Sequence, residues 1–338
     1  MKKILLFIII NFLFSCKTST ESIEIFNSKG IYYSLNGEIF KLDYDGLNKT
    51  QLTFSEYDNN NPTISSNGNF LLFETQGLKD ITASGGLMYD FSIINIMNLQ
   101  NRKIKRVSDD TEKDWFPQFS PNNNEIAFSS TRTDKCDIYI TDINENKIEQ
   151  LTNNNFWNVN PKFSPDGSKI LYESHEGGNY NIFIMDSDGS NQRQLTDSDW
   201  NINPQFSPKG DKIIWESYWD IYSMHLDGNN KINLSNNENI FARTPSYSHD
   251  ADQIVFITEK TYNVPIESSI REIHLIDLNS NVRKTILKTG ANFEPKFFPN
   301  DYKIIFTQYE NSQFYICTIN TDGSGYLRLG RGGNPSVF

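Results

Sequence analysis

Apolar residues in this chain fall into short runs, separated by turns dense in Asn, Asp, Gly and Pro. No long stretch carries the 3.6-residue apolar period of a helix. Asn160 to Thr196 sets the template. Asn160-Pro161-Lys162-Phe163-Ser164 predicts a short strand, closed by a turn at Pro165-Asp166-Gly167. Lys169–Ser174 predicts a second strand and Asn181–Asp186 a third. Asp188-Gly189 then supplies a residue tolerant of positive φ for a tight hairpin, and Gln192–Thr196 predicts a fourth, outer strand.

The unit recurs. A proline followed two places on by an aromatic or aliphatic residue stands at Pro62, Pro117, Pro161, Pro204, Pro245, Pro295 and Pro335, at intervals of 55, 44, 43, 41, 50 and 40 residues. A period of this length marks a repeat architecture. A lone four-stranded sheet exposes both faces; stacking such sheets radially buries them, and closing the ring leaves only short edges. The prediction is an all-β chain folded as a β-propeller. The chain opens with the second, third and fourth strands of a unit (Ile31–Ser34, Glu38–Leu42, Gln51–Thr53) and ends on a first strand, Asn334–Phe338. Pairing the C-terminal strand with the N-terminal strands makes seven blades; six is the alternative if the terminal pieces pair differently.

The phrases also resemble a known family, the WD-repeat-like propellers of the TolB type. Phe163-Ser164-Pro165-Asp166-Gly167, Met185-Asp186-Ser187-Asp188-Gly189 and Gln194-Leu195-Thr196 follow that family's blade pattern, and Gln150-Leu151-Thr152 and Gln51-Leu52-Thr53 repeat its close. The resemblance spans residues 30–338 and is specific for fold, whereas propellers host unrelated activities. Two departures stand out. The family's namesake has a six-bladed propeller behind an N-terminal α/β domain, for which this chain has no room, and it is soluble in the periplasm.

The N-terminus reads differently. Lys2 and Lys3 precede an apolar run from Ile4 to Phe14, the pattern of a signal peptide, here residues 1–15. Leu13-Phe14-Ser15-Cys16 resembles the bacterial lipobox, which implies acylation of Cys16, a tether over residues 16–29 and a propeller over 30–338. A diacylglycerol-type anchor with more than one chain holds a protein stably to a bilayer. Lys17 follows the cysteine, so by resemblance the expected location is the outer membrane, facing the periplasm. Cys136 and Cys317 fall in different repeats and are expected to be buried free thiols.

Formal charge is −11. An acidic chain without a basic patch argues against nucleic acid, and leaves the lipid anchor as the expected link to a membrane. The Asp-x-Asp-Gly turns at Asp43–Gly46 and Asp186–Gly189 lack the later bidentate Glu of a calcium loop. His175, His225, His249 and His274 show no metal-ligand spacing. No Gly-x-Ser-x-Gly elbow accompanies the propeller pattern, so a prolyl-oligopeptidase-type enzyme is excluded. No cofactor and no metal are expected.

Strand parity places the second-to-third loops and the unit-to-unit loops on one face. Two insertions, Gln76–Phe91 and Lys260–Glu272, lengthen loops there. An aromatic beside Asn, Asp, Glu or Arg precedes six of the prolines. The residues are Tyr57 and Asn60; Asp114, Trp115 and Phe116; Trp157, Asn158 and Asn160; Trp200, Asn201 and Asn203; Phe241 and Arg243; Phe293 and Glu294. Such a crown at a channel mouth suits a cell-envelope protein or peptide, or a glycan. The expected function is non-catalytic binding by a monomeric, lipid-anchored scaffold. The alternative is a carbohydrate lyase or hydrolase using Asp114, Asp199, Glu294 and Arg243.

Overall fold

The computed structural model describes residues 29–81, 87–108, 112–144, 147–197, 200–236, 240–260, 265–266 and 269–337. The signal segment, Cys16, the tether up to residue 28 and Asp199 lie outside the described residues. What is described is all-β. Four-stranded antiparallel sheets follow one another, and all but the N-terminal one run in chain order from first strand to fourth. The first strands are Asp58–Ile64, Asp114–Phe119, Trp157–Phe163, Asn201–Phe206, Phe241–Tyr247, Ala291–Phe297 and Gly333–Val337. Each holds one of the repeated prolines. The last of them pairs back onto Ile31–Leu35 near the N-terminus, with Ile31 opposite Val337 and Tyr32 opposite Ser336. The Pro245 and Pro295 sheets are joined by a single parallel bridge, Arg271 to Ala291, into one eight-stranded sheet.

The core lies between the sheets. Apolar side chains of one sheet pack on those of the next in a series of separate clusters. Tyr32, Ile39 and Leu52 meet Leu71, Phe73 and Met97, and Leu171, Ile182 and Leu195 meet Ile213, Trp215 and Met224. A further cluster joins Phe298, Ile305 and Ile316 of the Pro295 sheet to Ile31, Tyr33 and Leu42 of the N-terminal one. Strand alternation explains the pattern: odd positions of a second strand face one neighbour and even positions the other, so both faces are apolar. Cys136 and Cys317 are free and buried in these strands and their loops.

Two elements differ from the sequence expectation. First strands begin earlier than the proline phrase implies, so Trp157 and Asn158 stand in a strand rather than a loop. The Gln76–Phe91 insertion extends a hairpin: its strands, Phe70–Ile81 and Leu87–Asn98, have 12 residues each. Continued pairing through the insertion satisfies backbone groups that a loop would leave to water. The Asp-Gly turns are hairpins as expected, with the Gly189 N–H donating to the Asp186 carbonyl at 2.9 Å and Gly189 at φ 85°.

Candidate functional site at the channel mouth

The residue before each repeated proline has positive φ: Asn61, Phe116, Asn160, Asn203, Thr244, Glu294 and Asn334 lie between 47° and 58°. At each of the six internal repeats the pairing register slips across this point, the mark of a β-bulge. The bulge turns the pre-proline N–H away from its own ladder. Three glutamates receive it. Phe116 donates to Glu74 at 2.9 Å, Asn203 to Glu173 at 2.8 Å and Thr244 to Glu216 at 2.9 Å. Each of these carboxylates also accepts from the pre-proline asparagine of its own sheet: Asn61 to Glu74 at 3.0 Å, Asn160 to Glu173 at 2.7 Å and Asn203 to Glu216 at 2.8 Å. Every glutamate therefore clamps its own first strand to the next. In the Pro117 sheet Ser129 takes that place, accepting from the Asn160 N–H at 3.0 Å.

Burial pushes the pKa of all three carboxyls up, and the Asn and amide hydrogen bonds pull it partly back. Glu74 and Glu216 line a cavity of about 520 Å³ together with the six internal pre-proline residues, four of the repeated prolines and Thr63, Gln118, Lys162, Gln205, Ser246 and Lys296. Burial likewise pushes the Lys162 ammonium down to about 8, opposed by the charges of Glu173 and Glu74.

The predicted crown divides into two sets. Tyr57, Phe116, Trp157 and Trp200 expose large apolar surface, between 42 and 51 %. Trp115, Phe241, Arg243 and Phe293 are half-buried, and Glu294 is exposed and lines the cavity. Several rings pair: Trp200 with Tyr180, Phe241 with Trp219, Phe293 with Phe314 and Tyr57 with Phe91. Arg243 lies over the Trp219 ring and Arg271 over Phe293, at 4.8 and 4.1 Å from their centroids.

Asp114, Asn158 and Asn201 belong to the other set. All three are fully buried, which removes them from any partner's reach. Their side chains bracket the chain instead. Asn158 donates to Asp137 at 3.0 Å, Asn201 accepts from the Trp215 ring N–H at 2.9 Å, and Asp114 pairs with Arg132 at 3.3 Å. Standing three residues before the proline, they face inward because the bulge reverses the alternation after them. Asn160 and Asn203 carry the glutamate clamps, and Asn60 is half-buried in the strand.

Of the residues considered for carbohydrate chemistry, Glu294 reaches the cavity, whereas Asp114 is buried with Arg132 and Arg243 sits on Trp219. Among the described residues, no group of three or more His, Cys, Asp or Glu side chains is placed to hold a metal ion. The sequence reading missed Glu74, Glu173 and Glu216. A signal for them exists: each stands 13 residues after a pre-proline asparagine.

Comparison with known proteins agrees with this architecture. Residues 87–220 match the TolB beta propeller domain. Similar solved folds include TolB from Acinetobacter baumannii, with a TM-score of 0.56 at 20% identity over 79% of this chain and 66% of that one. Oligogalacturonate lyase from Vibrio parahaemolyticus gives 0.65 at 12% identity, covering 90% of this chain and 86% of that one. The β-propeller domain of the trilobed protease from Pyrococcus furiosus gives 0.58 at 13%, covering 83% and 85%. At these identities the likeness is one of fold. This chain spans slightly less than two thirds of the Acinetobacter protein. No curated protein matches the sequence. The chain carries a TolB-like β-propeller.

Proposed function

We propose that this chain is a seven-bladed propeller, closed end to end, anchored by lipid at Cys16 in the bacterial cell envelope. In this reading it acts as a non-catalytic, monomeric scaffold that binds an envelope protein or peptide at the channel mouth. One observation carries the reading: Phe116 lines a cavity whose wall is cross-clamped between sheets, and Tyr57, Trp157 and Trp200 stay exposed at the starts of first strands whose later residues line it. Rigid aromatic anchors lose little conformational entropy on binding and suit peptide or loop capture. Apolar packing of the Pro295 sheet on the N-terminal one supports the closed ring of seven, as does the pairing of Gly333–Val337 with Ile31–Leu35. The outer-membrane location rests on the Leu13–Cys16 sequence and on Lys17.

A carbohydrate lyase or hydrolase is the second reading. The raised carboxyls of Glu74 and Glu216 on the cavity wall favour it. Their lone pairs are engaged by asparagine and backbone donors, which argues for a structural role.

The test is crosslinking and affinity capture from envelopes with three chains: wild type, Cys16→Ala, and the Trp115→Ala/Trp157→Ala/Trp200→Ala variant. The expected result is one set of partners for wild type and its loss in the tryptophan variant with an unchanged circular dichroism spectrum. Cys16→Ala should leave the membrane fraction. Retained capture by the folded tryptophan variant would remove the mouth as the binding surface.

A further inference from the structure

The residue after each repeated proline points into the channel. Thr63, Gln118, Lys162, Gln205 and Lys296 are shared by the mouth cavity and a second cavity of about 530 Å³, and so form a waist between them. The second cavity opens at the other end, since its wall includes Ser66, Pro121 and Pro165 from the turns that follow the first strands. The two ends differ in charge. Glutamates 74, 216 and 294 line the mouth, while the wall of the turn-side cavity contains Lys162 and Lys296 and no carboxylate among the described residues. On a chain of net charge −11 this is a local reversal of sign.

Neither ammonium is neutralised there. Lys296 Nζ donates to the Pro335 carbonyl at 3.1 Å, which leaves two of its three N–H groups. Lys162 makes no hydrogen bond or ion pair among the described residues. Its nearest opposite charges, Glu173 and Glu74, are mouth-side groups already clamped between sheets. Two confined ammonium groups repel, and an anion between them would relieve both the repulsion and the desolvation. The rest of the wall is mixed: serine, threonine and glutamine side chains alternate along it with Phe119, Phe163 and Phe206, which border the cavity while packing into their inter-sheet clusters.

We infer that the turn-side end of the channel binds a small organic acid, with its carboxylate between Lys162 and Lys296 and its apolar body against the three phenylalanines. The cavity volume lies in the range of small-molecule sites. The site meets the mouth cavity at these shared waist residues but uses none of the exposed aromatics, and it does not depend on the partner-binding reading.

The experiment is calorimetric titration of the full chain in detergent with 3-phenylpropionate, its neutral amide, and inorganic phosphate. The acid should bind, and the amide should bind about tenfold more weakly or worse, because a charge-assisted contact is lost. Lys162→Gln should weaken the acid by a similar factor, and Lys162→Arg should retain it, with thermal melts confirming that both fold. The tryptophan mouth variant should bind the acid as wild type does. Equal binding of acid and amide, no binding of either, or an unaffected Lys162→Gln would overturn the site. Phosphate binding without acid binding would overturn the organic-acid assignment.

Discussion

Thr244 occupies a backbone position that its repeats mostly give to asparagine. Its φ is 51°, a region where a β-branched residue is strained, and its hydroxyl is buried without a partner. Asn61, Asn160, Asn203 and Asn334 tolerate the same conformation more easily, since a short amide can visit the left-handed region. The backbone N–H at this position is what the fold uses, and asparagine keeps it. Thr244→Asn should therefore stabilise the protein by about 1 kcal/mol, a rise in thermal midpoint of about 2 °C. A midpoint lowered by the substitution would mean that the Thr244 side chain packs better than its unpaired hydroxyl suggests. The proline phrase was plain in the sequence at this scale, but the positive φ was not. Phe116 and Glu294 give no hint of it, because the residue before a proline ordinarily prefers extended backbone.

At the scale of the element, the first strand and the glutamate opposite it act as a pair. Glu173 Oε1 accepts from both the Asn160 side chain and the Asn203 backbone, so it joins two sheets through one atom. Glu173→Gln keeps a carbonyl oxygen there; Glu173→Ala leaves two buried donors unpaired, at a cost of about 2–4 kcal/mol. The pH dependence separates them further. Burial raises the folded pKa of Glu173 above the ordinary 4.5, so its contribution to stability is fully present below pH 4.5 and is lost as pH rises through the raised value. Glu173→Gln should therefore lose less stability than wild type between pH 4.5 and pH 7, and be at least as stable at pH 7. Urea denaturation at both pH values measures this; a steeper loss in the Gln variant would show that the ionised carboxylate is the stabilising form. Strand existence was legible from alternation and turn residues. The bulge was not, since an extra residue per strand leaves the composition unchanged while moving Asp114, Asn158 and Asn201 from the expected surface into the interior.

For the whole molecule, the return of Gly333–Val337 to Ile31–Leu35 completes the N-terminal sheet. Deleting residues 333–338 would uncover the Ile31–Leu35 edge and remove Val337 from the apolar cluster that holds Ile31 and Tyr33. The expected consequence is a thermal midpoint lower by about 5 °C or more, together with a greater tendency to associate through the bared edge. Scanning calorimetry and size-exclusion chromatography check it; an unchanged midpoint would show that this pairing contributes little to stability. The incomplete units at the two ends of the chain already pointed to such a pairing, because each supplies the strands the other lacks.

Repetition of a local phrase is a one-dimensional property, so the amino-acid sequence alone determined the all-β class, the unit length, the turn positions and the pairing of its two ends. The proposed lipid anchor at Cys16 rests on the local phrase Leu13–Cys16 alone. Which side chain faces a neighbour, the channel or water depends on register and on bulges, and those are settled by long-range pairing. Only the tertiary structure, by bringing together residues scattered over the whole chain, made three glutamates into inter-sheet clamps and set Lys162 and Lys296 on one waist.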